Sequence, residues 1–289
     1  MATTNGAAPP AAADSAAAAS PSLGSSSTAT STTPVISTVG EATAPSSSLT
    51  AGAQGVAQVP GSAVGGGRGA FVVLEGLDRS GKTTQVKLLQ SRLIESGRGV
   101  QLMRFPDRTT PTGQIINQYL SSSATLPDQS IHLLFTANRW EASPAIAAQL
   151  AQGVTVVCDR YYYSGMVYSA AKGNPALGLG WARAPEAGLP RPDAVVFLDL
   201  DESVARERGG FGEERYETAE MQRRVRGLFW GLKRGEVGGV SFAEEAEDLV
   251  VVDAGGSVEE VAEAIWGAVR PRVEGVEGGQ FGTEVRRVS

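Results

Sequence analysis

Fourteen residues carry the clearest chemistry in this chain. Phe71-Val72-Val73-Leu74-Glu75 is a short apolar run, followed by Gly76-Leu77-Asp78-Arg79-Ser80-Gly81-Lys82-Thr83-Thr84. The glycines, lysine and threonine match G-x-x-x-x-G-K-[ST], a phosphate-binding loop. Gly76 and Gly81 permit positive φ and place no side chain in the way, so successive N–H groups can turn inward around phosphate oxygens. A helix starting near Lys82 adds the positive end of its dipole. This spacing directs Lys82 to the β/γ-phosphates and the Thr83 hydroxyl to Mg²⁺, with Ser80, Gly81 and Thr84 completing the cradle.

Two further basic clusters stand far away in sequence, Arg104-Phe105-Pro106-Asp107-Arg108 and Asp159-Arg160. Each follows an apolar run that reads as a strand, Val100–Phe105 and 154–158. Two more such runs, Ala194–Leu200 and Leu249–Val252, alternate with helical patterns. The helices are expected over Thr84–Ser96, Thr112–Leu120, a segment from a cap at Asp128 to Trp140, Pro144–Gln152, Tyr162–Ala171, Glu202–Arg208, Ala219–Lys233 and Val258–Val269, the last ended by Pro271. The pattern predicts an α/β fold of the P-loop NTPase type, a doubly wound five-stranded parallel sheet with helices on both faces. In such a sheet ligands bind at the C-terminal ends of the strands. The three basic clusters fall there, which implies more than one phosphate group.

The 289 residues divide unevenly. Residues 1–67 are an Ala/Ser/Thr-rich head without an aromatic residue, lysine or arginine, charged only at Asp14 and Glu41. Such a stretch buries too little apolar surface to offset its ordering entropy, so disorder is expected. It resembles neither a secretory signal nor an Arg-rich transit peptide, although its Ser-rich, acid-poor composition leaves organellar targeting open. The folded domain is expected over 68–270, with a lid at 206–217 and a loose tail at 271–289. A net charge of −6 argues against general attraction to nucleic acid. No apolar run reaches membrane-spanning length. The single cysteine, Cys158, excludes a disulfide framework and suits a reducing compartment, cytoplasmic or nuclear.

Taken in order, these segments resemble thymidylate kinase of the eukaryotic type. The resemblance rests on residues 74–83, 104–108, His132-Leu133-Leu134-Phe135-Thr136-Ala137-Asn138-Arg139-Trp140, Asp159-Arg160-Tyr161 and 208–217. It implies transfer of the γ-phosphoryl of ATP to dTMP, a step of dTTP biosynthesis, with Mg²⁺ and in a homodimer. Arg79 then bridges donor and acceptor as the catalytic arginine beside Lys82. Asp78 holds the sugar 3′-hydroxyl, and Arg108 and Arg160 clamp the acceptor phosphate, with Arg104 acting less directly. Phe135 stacks on thymine, Arg139 bonds its O4 edge, and Tyr168 excludes a 2′-hydroxyl. Asp159 lies near Thr83 and the metal. Arg208, Arg215 and Tyr216 are lid contacts, and Asp253 borders the adenine. His132 is expected to be structural. The segments 173–188 and 234–248 have no assigned contacts. Deleting residues 1–60 should leave activity intact. The alternatives are a deoxynucleoside kinase, whose uncharged acceptor leaves Arg108 and Arg160 nothing to clamp, and a non-catalytic P-loop switch, for which Phe135 and Arg139 have no purpose.

Overall fold

The computed structural model describes residues 67–201, 204 and 214–289. The expectations for the head, for a helix over 202–208, for Arg208 and for most of the lid therefore lie outside the described residues.

Five strands form one parallel sheet: β1 (Phe71–Gly76), β2 (Val100–Arg104), β3 (Thr155–Asp159), β4 (Ala194–Asp199) and β7 (Leu249–Asp253), in the order β2-β3-β1-β4-β7. A short antiparallel hairpin, β5 (Glu236–Val237) and β6 (Val240–Ser241), stands apart from it. Side chains alternate across each strand and fill two separate cores. Phe71, Val73, Val195 and Phe197 point to one, where α3 (Asp128–Ala151), α4 (Tyr162–Ala171) and α6 (Ala219–Arg234) cover the sheet. Val72, Leu74, Val196 and Leu198 point to the other, under α1 (Lys82–Glu95) and α8 (Val258–Glu277). Each helix supplies a periodic apolar stripe: Val86, Leu89 and Leu93 from α1, and Val261, Ile265 and Val269 from α8.

The helix ends follow local chemistry. The Thr110 hydroxyl caps α2 (Pro111–Leu120), that of Thr218 caps α6, and Ser257 with Glu260 forms a capping box on α8. Helix α1 has no such cap. Its cap is Gly81, with no side chain bonded to its first N–H groups and no acid in its first turn. Those donors are left for an anion.

Four expectations need correction. The separate helix at Pro144 is the second half of α3, which runs through the proline. A proline removes one hydrogen bond, while buried Ser143, Ile146 and Leu150 keep that half on the sheet. Likewise α8 continues past Pro271 to Glu277, with Val273 and Val276 buried. Asp128 is the first residue of α3 rather than its cap, and it accepts from Lys172 and Asn174 instead. The tail is docked, not loose. Val288 is buried, its N–H donates to the Leu189 carbonyl at 3.0 Å, and its carbonyl accepts from Gly188 at 2.8 Å. Arg286 pairs with Asp193 and Asp248 at the N-terminal edge of the sheet, where Arg68 and Arg191 pair with the same two carboxylates. The unassigned segments gain structure too: α5 (Leu179–Arg183) with a 3₁₀ turn at Ala184–Glu186, and the hairpin with α7 (Ala243–Asp248).

Candidate active site

The C-terminal strand ends bring the site together. Register pairs Leu74 and Arg104 with Asp159, so the phosphate loop, the Arg104–Arg108 turn and the Asp159–Arg160 turn leave neighbouring strands at one level. The loop needs its first glycine. Gly76 has φ 152°, and a Cβ there would lie 2.8 Å from both the Leu198 carbonyl oxygen and Ser80 Oγ. Gly81 has φ 86°. Arg79 and Arg160, which are not glycines, also hold the left-handed region at φ 67°. Such conformations are uncommon for non-glycine residues and concentrate at functional sites.

Lys82 folds back on its own loop. Its Nζ donates to the Leu77 carbonyl and lies 3.4 Å from Ser80 Oγ. Burial, and then the Arg160 guanidinium, push its ammonium down to about 7. The Thr83 hydroxyl donates to Asp159 Oδ2 at 3.0 Å. Arg104 Nε is 3.9 Å from the same oxygen but its side chain is 65% exposed. Asp78 is held on every side. Arg160 Nη2 donates to its Oδ1, while Gln222 Nε2 at 2.8 Å and the Tyr168 hydroxyl at 3.3 Å donate to Oδ2. Burial opposes ionisation of Asp78, but Arg160 and then Lys82 outweigh it and hold the carboxyl below the ordinary range. Burial pushes the Tyr168 phenol up, so its hydroxyl remains a donor.

One cavity of about 530 Å³ is lined by both groups of expected residues. The loop contributes Asp78, Arg79, Gly81, Lys82, Thr83 and Thr84; the opposite elements contribute Arg108, Phe135, Arg139, Asp159, Arg160, Tyr168 and Tyr216. Gly76 and Ser80 shape the loop from behind. Asp253 does not line the cavity. It is exposed at the end of β7, and its carboxylate accepts from the Gly255 N–H. Arg215 turns away as well, over the Tyr119 ring and onto the carbonyls of Tyr119 and Ala124. Of the lid residues, Glu214 reaches Arg108 at 2.7 Å and Glu217 reaches Arg79 at 4.0 Å.

Several supporting residues escaped the sequence reading. Glu75, fully buried on β1, accepts from the N–H groups of Tyr161 and Ser164 and from the Ser164 hydroxyl. It thereby caps α4, which has no side-chain cap of its own, and fixes the Asp159–Arg160 turn. Burial pushes its carboxyl up, against the pull of Arg160. A charge inside an apolar strand was the available signal. Gln222 also accepts from the Asp78 N–H at 3.0 Å, tying α6 to the loop. Asn138 clamps Asp107 through both its N–H and its carbonyl. His132 is structural as expected. Nε2–H donates to the Ala182 carbonyl at 2.9 Å and Nδ1 accepts from Ser169 at 2.8 Å, while burial and then Arg139 push the imidazole down.

Comparison with known proteins agrees with this geometry. The family model described as thymidylate kinase matches residues 74–265. This chain belongs to the thymidylate kinase family. Among curated members, the thymidylate kinase of Schizosaccharomyces pombe is 48% identical over 194 residues, covering 67% of this chain and 88% of that protein. The human thymidylate kinase is 43% identical over 198 residues, covering 68% and 88%. A solved thymidylate kinase structure from Candida albicans superimposes with TM-score 0.64 at 33% identity, covering 77% of this chain and 99% of that one. The matched span takes in the phosphate loop, the basic turns, Phe135 and Arg139, and Gln222. Glu75 and Asn138, to which the sequence reading, as with Gln222, gave no role, lie in it as well.

Proposed function

We propose that this thymidylate kinase family member transfers the γ-phosphoryl of ATP to dTMP, giving dTDP and ADP. The observation that carries the reading is the single cavity shared by the phosphate loop and by Phe135 and Arg139. Phosphoryl transfer needs positioning and charge neutralisation more than covalent chemistry. In the proposed arrangement the loop N–H groups and Lys82 hold the donor phosphates. Arg160 and Arg108 clamp the acceptor phosphate with planar guanidinium groups. Arg79 neutralises the group in transit. Asp78 accepts from the sugar hydroxyl, and Tyr168 fills the space a 2′-hydroxyl would need. Phe135 stacks on the base, and Arg139 donates to its keto edge.

The Thr83 hydroxyl and Asp159 carboxylate are hard oxygen donors 3.0 Å apart, suited to Mg²⁺. No cluster of three metal-ligating acids, histidines or cysteines occurs among the described residues. That fits an ion that takes most of its ligands from water and substrate phosphates. When bound, Mg²⁺ neutralises charge on the phosphate oxygens. The chain's own part is to hold Asp159 ready through Thr83 and Arg104.

A homodimer is proposed from the resemblance, supported by exposed Ile115 on α2 and Leu133 and Trp140 on α3. The unpaired, buried Cys158 supports a reducing compartment, cytoplasm or nucleus. Among the described residues no helix is long and apolar enough to cross a membrane. ADP release measured with dTMP, dUMP, dCMP and thymidine tests the reading. We expect dTMP to be the preferred acceptor, with turnover abolished when a chelator removes Mg²⁺. Preference for thymidine, or ADP release without any acceptor, would overturn it.

A further inference from the structure

The guanidinium that meets the base is itself gripped from behind. The Arg139 side chain is 3% exposed and its partner Glu186 is fully buried. Arg139 Nε donates to Glu186 Oε2 at 2.9 Å, and Nη2 donates to Glu186 Oε1 and to Thr136 Oγ1 at 3.2 Å. Thr136 closes the ring by donating to Glu186 Oε1 at 2.7 Å. The donors left over are those of Nη1, and Arg139 lines the cavity. Gly165 provides the passage. A Cβ there would lie 2.6 Å from Nη2 and 2.9 Å from Nη1.

Glu186 is fixed in turn. It ends the 3₁₀ turn at Ala184–Glu186, its carbonyl accepts from Leu189, and Leu189 bonds Val288 of the docked C-terminal segment. Trp140 Nε1 donates to the Pro185 carbonyl at 3.0 Å. A carboxylate so placed has two effects. It neutralises a cation drawn out of water, and it fixes the rotation of a planar fork.

We propose that Glu186, braced by Thr136 and by the segment around Val288, is a positioning residue that sets base selectivity. It locks Arg139 so that only N–H donors face the 4-position of the pyrimidine. A 4-keto oxygen accepts from that edge, whereas a 4-amino group meets it donor to donor. This rests on dTMP being the acceptor, as proposed above.

The test uses the full chain and two acceptors that differ along that edge, dTMP and 5-methyl-dCMP. Glu186→Gln removes the charge that orients the fork. It is expected to lower the ratio of kcat/KM for dTMP over 5-methyl-dCMP roughly tenfold or more, mainly through the KM for dTMP, with the KM for ATP held within about twofold. Asp in place of Glu186 should recover part of that ratio. Thr136→Val keeps the ion pair and should shift the ratio in the same direction by less. A folded Glu186→Gln variant with unchanged selectivity overturns the proposal. Should that variant fail to fold, unchanged selectivity in Thr136→Val overturns it. Failure of the parent protein to use dTMP at all would strike the functional reading itself, whereas a selective parent with equally selective variants strikes only this inference.

Discussion

The Thr83 hydroxyl and the Asp159 carboxylate stand 3.0 Å apart although 76 positions separate them in the chain. One residue is the second of α1 and the other ends β3, so the contact exists only because β1 and β3 are neighbours. It joins the phosphate loop to the turn that carries Arg160. Substitutions on either side of this junction should affect different steps of the reaction.

Arg79→Ala removes the loop cation to which the proposed function gives the group in transit. Turnover is expected to fall about 10³–10⁵-fold, with little change in ATP affinity. Steady-state ADP release and a nucleotide-binding titration together check this. Near-normal turnover would reject the role given to Arg79.

Lys82 supplies a pH dependence. Its ammonium is pushed down to about 7 by burial and by Arg160, whereas an unfolded lysine stays protonated to about 10.4. Above pH 7 the ligand-free protein therefore holds this amine neutral, and phosphate binding must recharge it. ATP binding should take up a proton, and affinity should decline between pH 7 and 9, by at most about tenfold per unit. Calorimetry in buffers of different ionisation heat reads the uptake, and Lys82→Met should abolish it. The same shift bears on stability. Protonated Lys82 costs the ligand-free fold free energy below pH 7, and that cost is relieved as pH rises from about 7 to about 10.4.

Glu75→Gln can keep an oxygen for the N–H groups of Tyr161 and Ser164, which both donate to Oε1, but it puts an N–H₂ donor where Oε2 accepts from the Ser164 hydroxyl. One unsatisfied buried donor costs about 1–3 kcal/mol. Chemical denaturation should show a loss of that size. Turnover should drop as well, because the Asp159–Arg160 turn loses part of its anchor. A variant of unchanged stability would show that the Ser164 hydroxyl is not needed to hold α4 in place.

Gly165→Ala sets two effects against each other. Alanine inside a helix ordinarily gains about 0.5–1 kcal/mol over glycine. Here its Cβ would press on a guanidinium already pinned by Glu186. The KM for dTMP is expected to rise several-fold, in line with loss of one oriented hydrogen bond, at roughly 1 kcal/mol. Substrate kinetics beside a melting curve separate the two effects.

Most of the sheet is legible in sequence because its strands are buried on both faces and read as unbroken apolar runs. The phosphate loop is legible because glycine, lysine and threonine stand at fixed spacing. The prolines mislead: Pro144 and Pro271 each read as a helix end, and in both places burial against the sheet carries the helix through. The tail misleads for a related reason. Arg286 and Val288 find partners at Asp193, Asp248 and Leu189, distant positions that no local pattern reveals. The side chains of the proposed site are visible by type, but their supports are not. Glu186 sits in a Gly/Pro/Ala-rich stretch, and Gln222 looks like any polar helix residue. Their importance comes from the buried groups they satisfy. Asp253 shows the converse: it lies at the expected strand end and outside the cavity.

Gln222 grips Asp78 through both the backbone and the carboxylate, and it sits four residues after the cap of α6. The first turns of α6 are therefore coupled to the phosphate loop through one side chain. Under the proposed function, a displacement of residues 214–218 when an acceptor binds is expected to be felt at the phosphate loop through Gln222 and Asp78. Each nucleotide should consequently tighten its hold when the other arrives, and a thermodynamic cycle of the two affinities would register that synergy.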